Sequence, residues 1–244
     1  NETPKELLGI GIDEHLGASI DLNLRFKDEN GLSVKLGDYF KGEPVILSLA
    51  YYSCPNLCNM HLNGMKDVFK KMDWVLGEKF KHIIVSIDPK ETPELALAKK
   101  KNYLESYGRA DGSRGWVFLT GDEAQIQALA KQVGFGYRWD EAEKQYAHAA
   151  AAYVLTPAGK ISRYLYGIDF QPQTVKLALL EASNGKIGNI IDKFTLFCFH
   201  YDPKANKYTL AAVNIMKAGG ALAVLVMAGF MAPFWMRQRR DKKV

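Results

Sequence analysis

Three short, almost entirely apolar runs divide the first part of this chain, and a segment with helical spacing follows each of them. The runs lie at residues 45–51, 82–87 and 116–119. A strand exposed on one face alternates between polar and apolar residues, so unbroken runs of this kind predict strands that are buried on both faces. Helical segments between such strands favour parallel pairing, and the chain is therefore expected to be an α/β protein.

The remaining predicted elements are marked by turn and cap residues. Thr92 stands before Pro93 at one helix start, and Asp122 is placed to cap the next helix. The predicted elements are an N-terminal hairpin at residues 20–26 and 32–36, helices at 92–107 and 123–133, a hairpin at 153–155 and 161–166, and a helix at 171–182. Together these elements predict a thioredoxin-like sandwich with an added N-terminal hairpin.

Cys54 and Cys58 lie where the first apolar run passes into a helical pattern. Pro55 suits the first turn of a helix, and two cysteines four residues apart would then share one face. Unpaired amide groups and the positive end of the helix dipole favour the thiolate, which is the form that binds soft metals and attacks disulfides. By itself, the pair indicates either a metal site or a dithiol that closes into a disulfide.

The C-terminal region has the pattern of a membrane anchor. Residues 218–236 carry no charge and would span about 28 Å as a helix, which is close to the thickness of the hydrocarbon core of a bilayer. Most of the formal net charge of +5 comes from the last eight residues, so no nucleic-acid-binding surface is expected. We expect a single transmembrane helix at 210–236, a cytoplasmic C-terminus, and a globular domain on the outer, periplasmic side of the inner (plasma) membrane.

Composition divides the chain into five parts. These are a polar tether at 1–18, a thioredoxin-like domain at 19–183, a juxtamembrane connector at 184–209, the transmembrane helix at 210–236 and a basic tail at 237–244. An outer domain must be exported, so we expect the chain to begin after removal of a signal peptide. Three cysteines are too few for a disulfide scaffold in an oxidising compartment, which favours a reactive or metal-binding pair.

An ordered set of motifs over residues 16–182 resembles the Sco/SenC family. The motifs are Cys-Pro-Asn-Leu-Cys at 54–58 after a strand, Val-Ser-Ile-Asp-Pro at 85–89, Thr-Pro-Glu at 92–94, Leu-Thr-Gly at 119–121, and His148 ahead of Tyr-Val-Leu-Thr-Pro-Ala-Gly at 153–159. The resemblance implies a thioredoxin-like copper chaperone for cytochrome c oxidase assembly, with Cys54, Cys58 and His148 as ligands of one copper ion. Two thiolates and one imidazole suit Cu(I), and they can hold Cu(II) when another ligand is added.

The resemblance further implies delivery of copper to the CuA site of oxidase subunit II, or preparation of the cysteines of that site. A thiol reductant is then a second expected partner, because the pair must be reduced before it binds copper. One alternative is an enzyme, a thiol–disulfide oxidoreductase that uses Cys54 and Cys58 as its catalytic pair and has no need of His148. Another is an accessory subunit that stays docked on a respiratory complex.

Some residues depart from the family pattern or leave two interpretations open. Asn59 stands where the family often has proline, and Ala147 stands where it often has an acidic residue. Without the family pattern, His148 looks like a loop residue. Cys198 and His200 would face the same side of an extended segment, as a second copper site or as packing residues. Met60 and Met65, beside the pair, are more typical of core packing than of ligands. His61 is more typical of a surface or core histidine than of a ligand.

Overall fold

The computed structural model describes residues 9–54, 57–109, 112 and 114–188, together with the backbone of 201–202 and 207–208. The chain forms two compact units, Asn1–Gly188 and Asn189–Val244. The second unit has two short paired strands among its described residues.

The described elements alternate between strands and helices along most of the first unit. In chain order, the strands are β1 (Gly11–Ile12), β2 (Arg25–Lys27), β3 (Ser33–Lys35), β4 (Val45–Ala50), β5 (Lys81–Ser86), β6 (Trp116–Leu119), β7 (Phe135–Asp140), β8 (Gln145–His148), β9 (Ala151–Leu155) and β10 (Ile161–Tyr166), and the second unit adds β11 (Tyr201–Asp202) and β12 (Lys207–Tyr208). The helices are α1 (Leu57–Lys71), α2 (Pro93–Tyr107), α3 (Glu123–Gln132) and α4 (Pro172–Ser183), and a 3₁₀ turn spans Leu36–Tyr39.

A five-stranded sheet in the order β10-β9-β4-β5-β6 forms the centre of the fold. Strands β4, β5 and β6 are parallel, while β9 and β10 are antiparallel to their neighbours. Every residue of β4, β6 and β9 is buried, as expected for strands covered on both faces. The structure confirms the predicted α/β class, the three apolar strands and the hairpin predicted at 153–155 and 161–166, which is β9 and β10.

The predicted N-terminal hairpin is present as β2 and β3, which pair antiparallel over three residues each. Asp28 begins its turn, because one carboxylate oxygen accepts the backbone N–H groups of Asn30 at 2.9 Å and Leu32 at 2.8 Å. Such local bonds to an aspartate are typical of tight turns. The strands are shorter than the sequence pattern predicted, because residues 20–24 lie outside β2 and the chain enters the 3₁₀ turn at Leu36.

A second sheet, in the order β1-β7-β8, was not predicted. Tyr137 pairs with His148 and Trp139 pairs with Tyr146, so aromatic residues at alternating positions were the signal that could have revealed it. Asp140 forms the hairpin turn by accepting the N–H of Ala142 at 2.9 Å. The interpretation of His148 as a loop residue was wrong, because His148 is the last residue of β8.

Helix α1 buries the face that carries Cys58. Its buried residues recur at helical spacing and are Cys58, His61, Leu62, Met65, Val68 and Phe69. Met65 is therefore a packing residue, as predicted, whereas Met60 is 51% exposed and does not pack in the core. At Gly64 the helix lies so close to the loop after β10 that a Cβ atom would stand 2.0 Å from the carbonyl oxygen of Ile168.

None of the helices formed by the described residues is both long and apolar enough to cross a bilayer. The part of the predicted connector beyond residue 188, the predicted transmembrane helix at 210–236 and the basic tail lie outside the described side chains. The membrane anchor therefore stays a prediction.

Candidate metal centre

The cysteine pair lies at the carboxyl end of β4. The chain turns from Tyr51 to Cys54, where the Cys54 N–H donates to the Tyr51 carbonyl at 3.3 Å. The backbone N–H of Cys58 then donates to the Cys54 sulfur at 3.4 Å. Cys54 thus accepts an amide N–H in the first turn of α1, as the sequence predicted, and this contact favours a negative charge on its sulfur.

His148 approaches the same pair from the end of β8. Its Nε2 lies 3.0 Å from the Cys58 sulfur, although the two residues are 90 positions apart. Its Nδ1 lies 2.9 Å from the Ala149 carbonyl oxygen, which can only accept a hydrogen bond. The proton therefore belongs on Nδ1, and Nε2 presents its lone pair to the sulfur. This tautomer is the one that could bind a metal through Nε2.

Aromatic rings hold the imidazole in place. Tyr51 meets the His148 ring edge-on with centroids 6.1 Å apart, and Phe135 lies at 5.8 Å. Tyr51 and Phe135 are themselves buried. The ring of His148 therefore sits between β4 and the second sheet, with little room to turn away from Cys58.

The two thiols have opposite electrostatic environments. The pKa of Cys54 is lowered, chiefly because its sulfur accepts a hydrogen bond from the Cys58 side chain, with further help from the Cys58 amide. The pKa of Cys58 is raised, chiefly because its proton is held in the bond to Cys54, and also because of burial. The pair therefore favours one thiolate, on Cys54, and one thiol, on Cys58.

Both cysteines are free in this structure. Within the described ranges, no three His, Cys, Asp or Glu side chains are arranged as a complete metal-binding group. The structure does bring together the predicted ligands Cys54, Cys58 and His148, through the contacts given above. The other predicted pair, Cys198 and His200, lies outside the described residues, and its role stays a prediction.

His61 belongs to the core, which is one of the two positions expected for it. It is 3% exposed, and its Nδ1 donates to the Gly167 carbonyl at 2.7 Å. Its Nε2 lies 3.4 Å from the Ser48 hydroxyl, which is also 2.9 Å from the buried His82 ring. Burial lowers the pKa of His61 to about 4, so this ring is neutral at physiological pH.

The residues that depart from the family pattern are well accommodated. The Asn59 side-chain amide donates to the Cys54 carbonyl at 2.6 Å, and the amine of Lys99 donates to the Asn59 side-chain oxygen at 3.1 Å. Asn59 thus closes the loop between the two cysteines by a hydrogen bond. Ala147 pairs with Arg138 in the second sheet, one position before the histidine.

One residue beside the site escaped the sequence analysis. Glu91 lies before α2, yet its carboxylate is buried against the turn that leads into Cys54. Its position after Asp-Pro at residues 88–89 suggested only a loop. Asp88 shapes that loop by accepting the Lys90 N–H at 2.9 Å.

The fold and the site define a class of protein. A thioredoxin-like sheet that carries a dithiol at the end of a central strand, with an imidazole against one sulfur, is typical of dithiol proteins that exchange electrons or bind a soft metal. The SCO1/SenC family model matches residues 13–181. The chain therefore belongs to the SCO1/SenC family.

Individual proteins resemble this chain in sequence or in fold. A Stutzerimonas stutzeri protein, provisionally named a copper-binding protein, is 27% identical over 129 residues, which cover 51% of this chain and 59% of that protein. A solved Aquifex aeolicus VF5 structure, provisionally described as an electron transfer protein, has a TM-score of 0.62 at 24% identity and covers 70% of this chain and 95% of its own. The structure of BsSco, described as a member of the Sco family of cytochrome c oxidase assembly proteins with a disulfide switch, has a TM-score of 0.55 at 23% identity and covers 72% of this chain and 99% of its own.

Proposed function

We propose that this chain is a copper metallochaperone that acts in cytochrome c oxidase assembly, with Cys54, Cys58 and His148 as its copper ligands. The observation that carries the proposal is the 3.0 Å contact between His148 Nε2 and the Cys58 sulfur. Disulfide exchange alone needs two cysteines and no distant imidazole. An Nε2 that carries a lone pair beside two cysteine sulfurs supplies the nitrogen donor of a mixed sulfur and nitrogen copper site.

The donor set suits a cargo that must be released again. Two sulfurs and one nitrogen give three soft ligands, whereas a fourth fixed ligand would favour structural zinc. Copper binding would displace the proton of Cys58, while Cys54 already favours the thiolate. The names of two related proteins, one copper-binding and one an oxidase assembly protein, support this choice of metal and pathway.

We further propose that the acceptor is the CuA site of oxidase subunit II, and that the chain is held at the membrane by residues 210–236. Acceptor thiolates would replace those of Cys54 and Cys58 one at a time. A thiol reductant would keep the pair reduced in the oxidising compartment. The uncharged C-terminal run and the basic residues after it support the anchor.

The experiment that tests copper binding uses the reduced, purified chain without oxygen. Cu(I) affinity is measured by competition with bicinchoninate for the parent, Cys54→Ala, His148→Ala and the control His15→Ala. We expect both ligand variants to lose at least tenfold in affinity, whereas His15→Ala remains within twofold of the parent. Equal Cu(I) affinity of the parent and His148→Ala would contradict the proposed site.

A thiol–disulfide oxidoreductase is the second candidate, because the lowered pKa of Cys54 also suits attack on a disulfide. The two functions differ in their use of His148. If the parent reduces disulfide substrates and His148→Ala does so equally fast, while neither binds Cu(I), the enzyme is the better description. Strong Cu(I) binding that requires His148 favours the chaperone.

A further inference from the structure

Glu91 is a buried carboxylate that receives four short hydrogen bonds. One oxygen accepts the Tyr52 N–H at 2.7 Å and the Ser86 hydroxyl at 2.6 Å. The other accepts the Ser53 N–H at 2.7 Å and the Ser53 hydroxyl at 2.8 Å. The side chain is only 8% exposed. Burying a carboxylate is costly unless its oxygens are hydrogen-bonded, so this arrangement fixes Glu91 and its four donors as one unit.

The backbone donors belong to the turn that presents the first cysteine. Tyr52 and Ser53 are the two middle residues of the turn closed by the Cys54 N–H and the Tyr51 carbonyl. Successive N–H groups in such a turn point into one concave space that binds an anion. Here the carboxylate of Glu91 occupies that space, and the Ser86 hydroxyl ties it to the end of β5.

The other side of the turn is also fixed. The Tyr52 hydroxyl donates to the Leu119 carbonyl at 2.6 Å and lies 3.1 Å from the Ile84 carbonyl. With its ring anchored under β5 and β6 and its N–H held by Glu91, Tyr52 has little freedom. Cys54 lies two residues later, and the Ser53 N–H contact with Glu91 holds the residue directly before it.

We propose that Glu91 is a positioning residue for the dithiol: its carboxylate fixes the Tyr51–Cys54 turn, so that the Cys54 sulfur stays in place at the start of α1. The inference rests on the proposed use of Cys54 and Cys58 as the working pair, but it does not require copper as the cargo. A sulfur held beside the first amides of a helix is stabilised as a thiolate relative to the disulfide. The same fixed sulfur is already placed for a metal.

The test changes the reach of the carboxylate and keeps its charge. Glu91→Asp shortens the side chain by one methylene, so it can no longer meet the turn and Ser86 together. Glu94→Asp is the matched control, because it is the same substitution at an exposed position in the first turn of α2. The copper-free chain is equilibrated with glutathione buffers, in which the two cysteine thiols and one oxidised glutathione give one disulfide and two reduced glutathiones.

We expect Glu91→Asp to move this equilibrium at least fivefold toward the disulfide and to lower Cu(I) affinity, measured against bicinchoninate, by at least fivefold. Glu94→Asp should stay within twofold of the parent in both. A purely structural role would lower the melting temperature of Glu91→Asp but leave both equilibria unchanged, and that result overturns the proposal.

A milder variant keeps the test decisive if Glu91→Asp does not fold. Ser86→Ala removes one of the hydroxyl donors to the Glu91 carboxylate. Ser86 lies on β5, away from the cysteines. A smaller shift toward the disulfide supports the proposal, and no shift overturns it. A parent that binds no Cu(I), together with a shifted glutathione equilibrium in Glu91→Asp, would refute the copper function while leaving the role of Glu91 intact.

Discussion

Acid should weaken this fold through a single buried histidine on α1. His61 donates its Nδ1 proton to the Gly167 carbonyl, and its ring meets Phe170 edge-on at 5.5 Å. Protonation of Nε2 would place a charge in the core, beside the Ser48 hydroxyl, which also contacts the buried His82 ring. Burial accordingly lowers the pKa of His61 from its ordinary 6.5 to about 4.

The size of the effect follows from this difference in pKa. At pH 7 the ring is neutral in both the folded and the unfolded chain. As the pH falls below 6.5, His61 binds a proton in the unfolded chain but stays neutral in the folded chain, so the free energy of unfolding decreases. Each pH unit between the two pKa values is worth about 1.4 kcal/mol, and His61 should therefore cost about 3 kcal/mol of stability between pH 6.5 and 4.

The assay compares the parent with His61→Asn, whose side-chain amide can still donate to the Gly167 carbonyl. Denaturant unfolding is followed at several pH values from 7 to 4.5, with the cysteines kept in the same redox state. The buried His82, whose pKa is lowered by burial and by the nearby His61, is present in both proteins. We expect the parent to lose stability relative to His61→Asn as the pH falls through this window.

A second histidine provides a control of opposite sign. The pKa of His15 is raised, mainly because its ring donates to the Gln132 carbonyl. The stability that His15 contributes is present below pH 6.5 and is lost as the pH rises through its folded pKa. The parent should therefore gain stability relative to His15→Asn on acidification. A parent-to-variant difference for His61 that does not change with pH would refute the reasoning.

Three further outcomes are expected. Gly64→Ala should lower the free energy of unfolding by about 1–3 kcal/mol despite the better helix propensity of alanine, because the new Cβ would meet the Ile168 carbonyl oxygen at 2.0 Å; a variant as stable as the parent in denaturant would contradict this close approach. Alkylation by iodoacetamide, followed by peptide mapping, should label Cys54 ahead of Cys58 at pH 6, since only Cys54 favours the thiolate; equal labelling would argue against the asymmetry. Tyr52→Phe removes a buried hydroxyl that donates to backbone carbonyls and should lower the free energy of unfolding by about 1–3 kcal/mol. Thermal unfolding measures this change, and an unchanged melting temperature would contradict the prediction.

Local sequence was sufficient for the elements whose signals are continuous in the chain. The unbroken apolar run of β4 predicted a strand buried on both faces, and Asp122 caps α3 by accepting the Gln125 N–H at 2.9 Å, as predicted. Thr92 precedes α2 at the predicted place, although its side chain makes no capping bond to the backbone. The β7–β8 hairpin was missed because its strands are only partly buried, so their pattern of apolar residues is weak.

For the site, the sequence by itself determined the spacing of Cys54 and Cys58 and the helix that begins between them. Those properties depend on residues within one turn of each other, where backbone geometry alone fixes what can meet. Only the tertiary structure decided that His148 reaches the Cys58 sulfur and that Glu91 holds the turn before Cys54. Both contacts join segments that are distant along the chain. The pairing of β4 with β9, which begins three residues after His148, and of β4 with β5 brings them together.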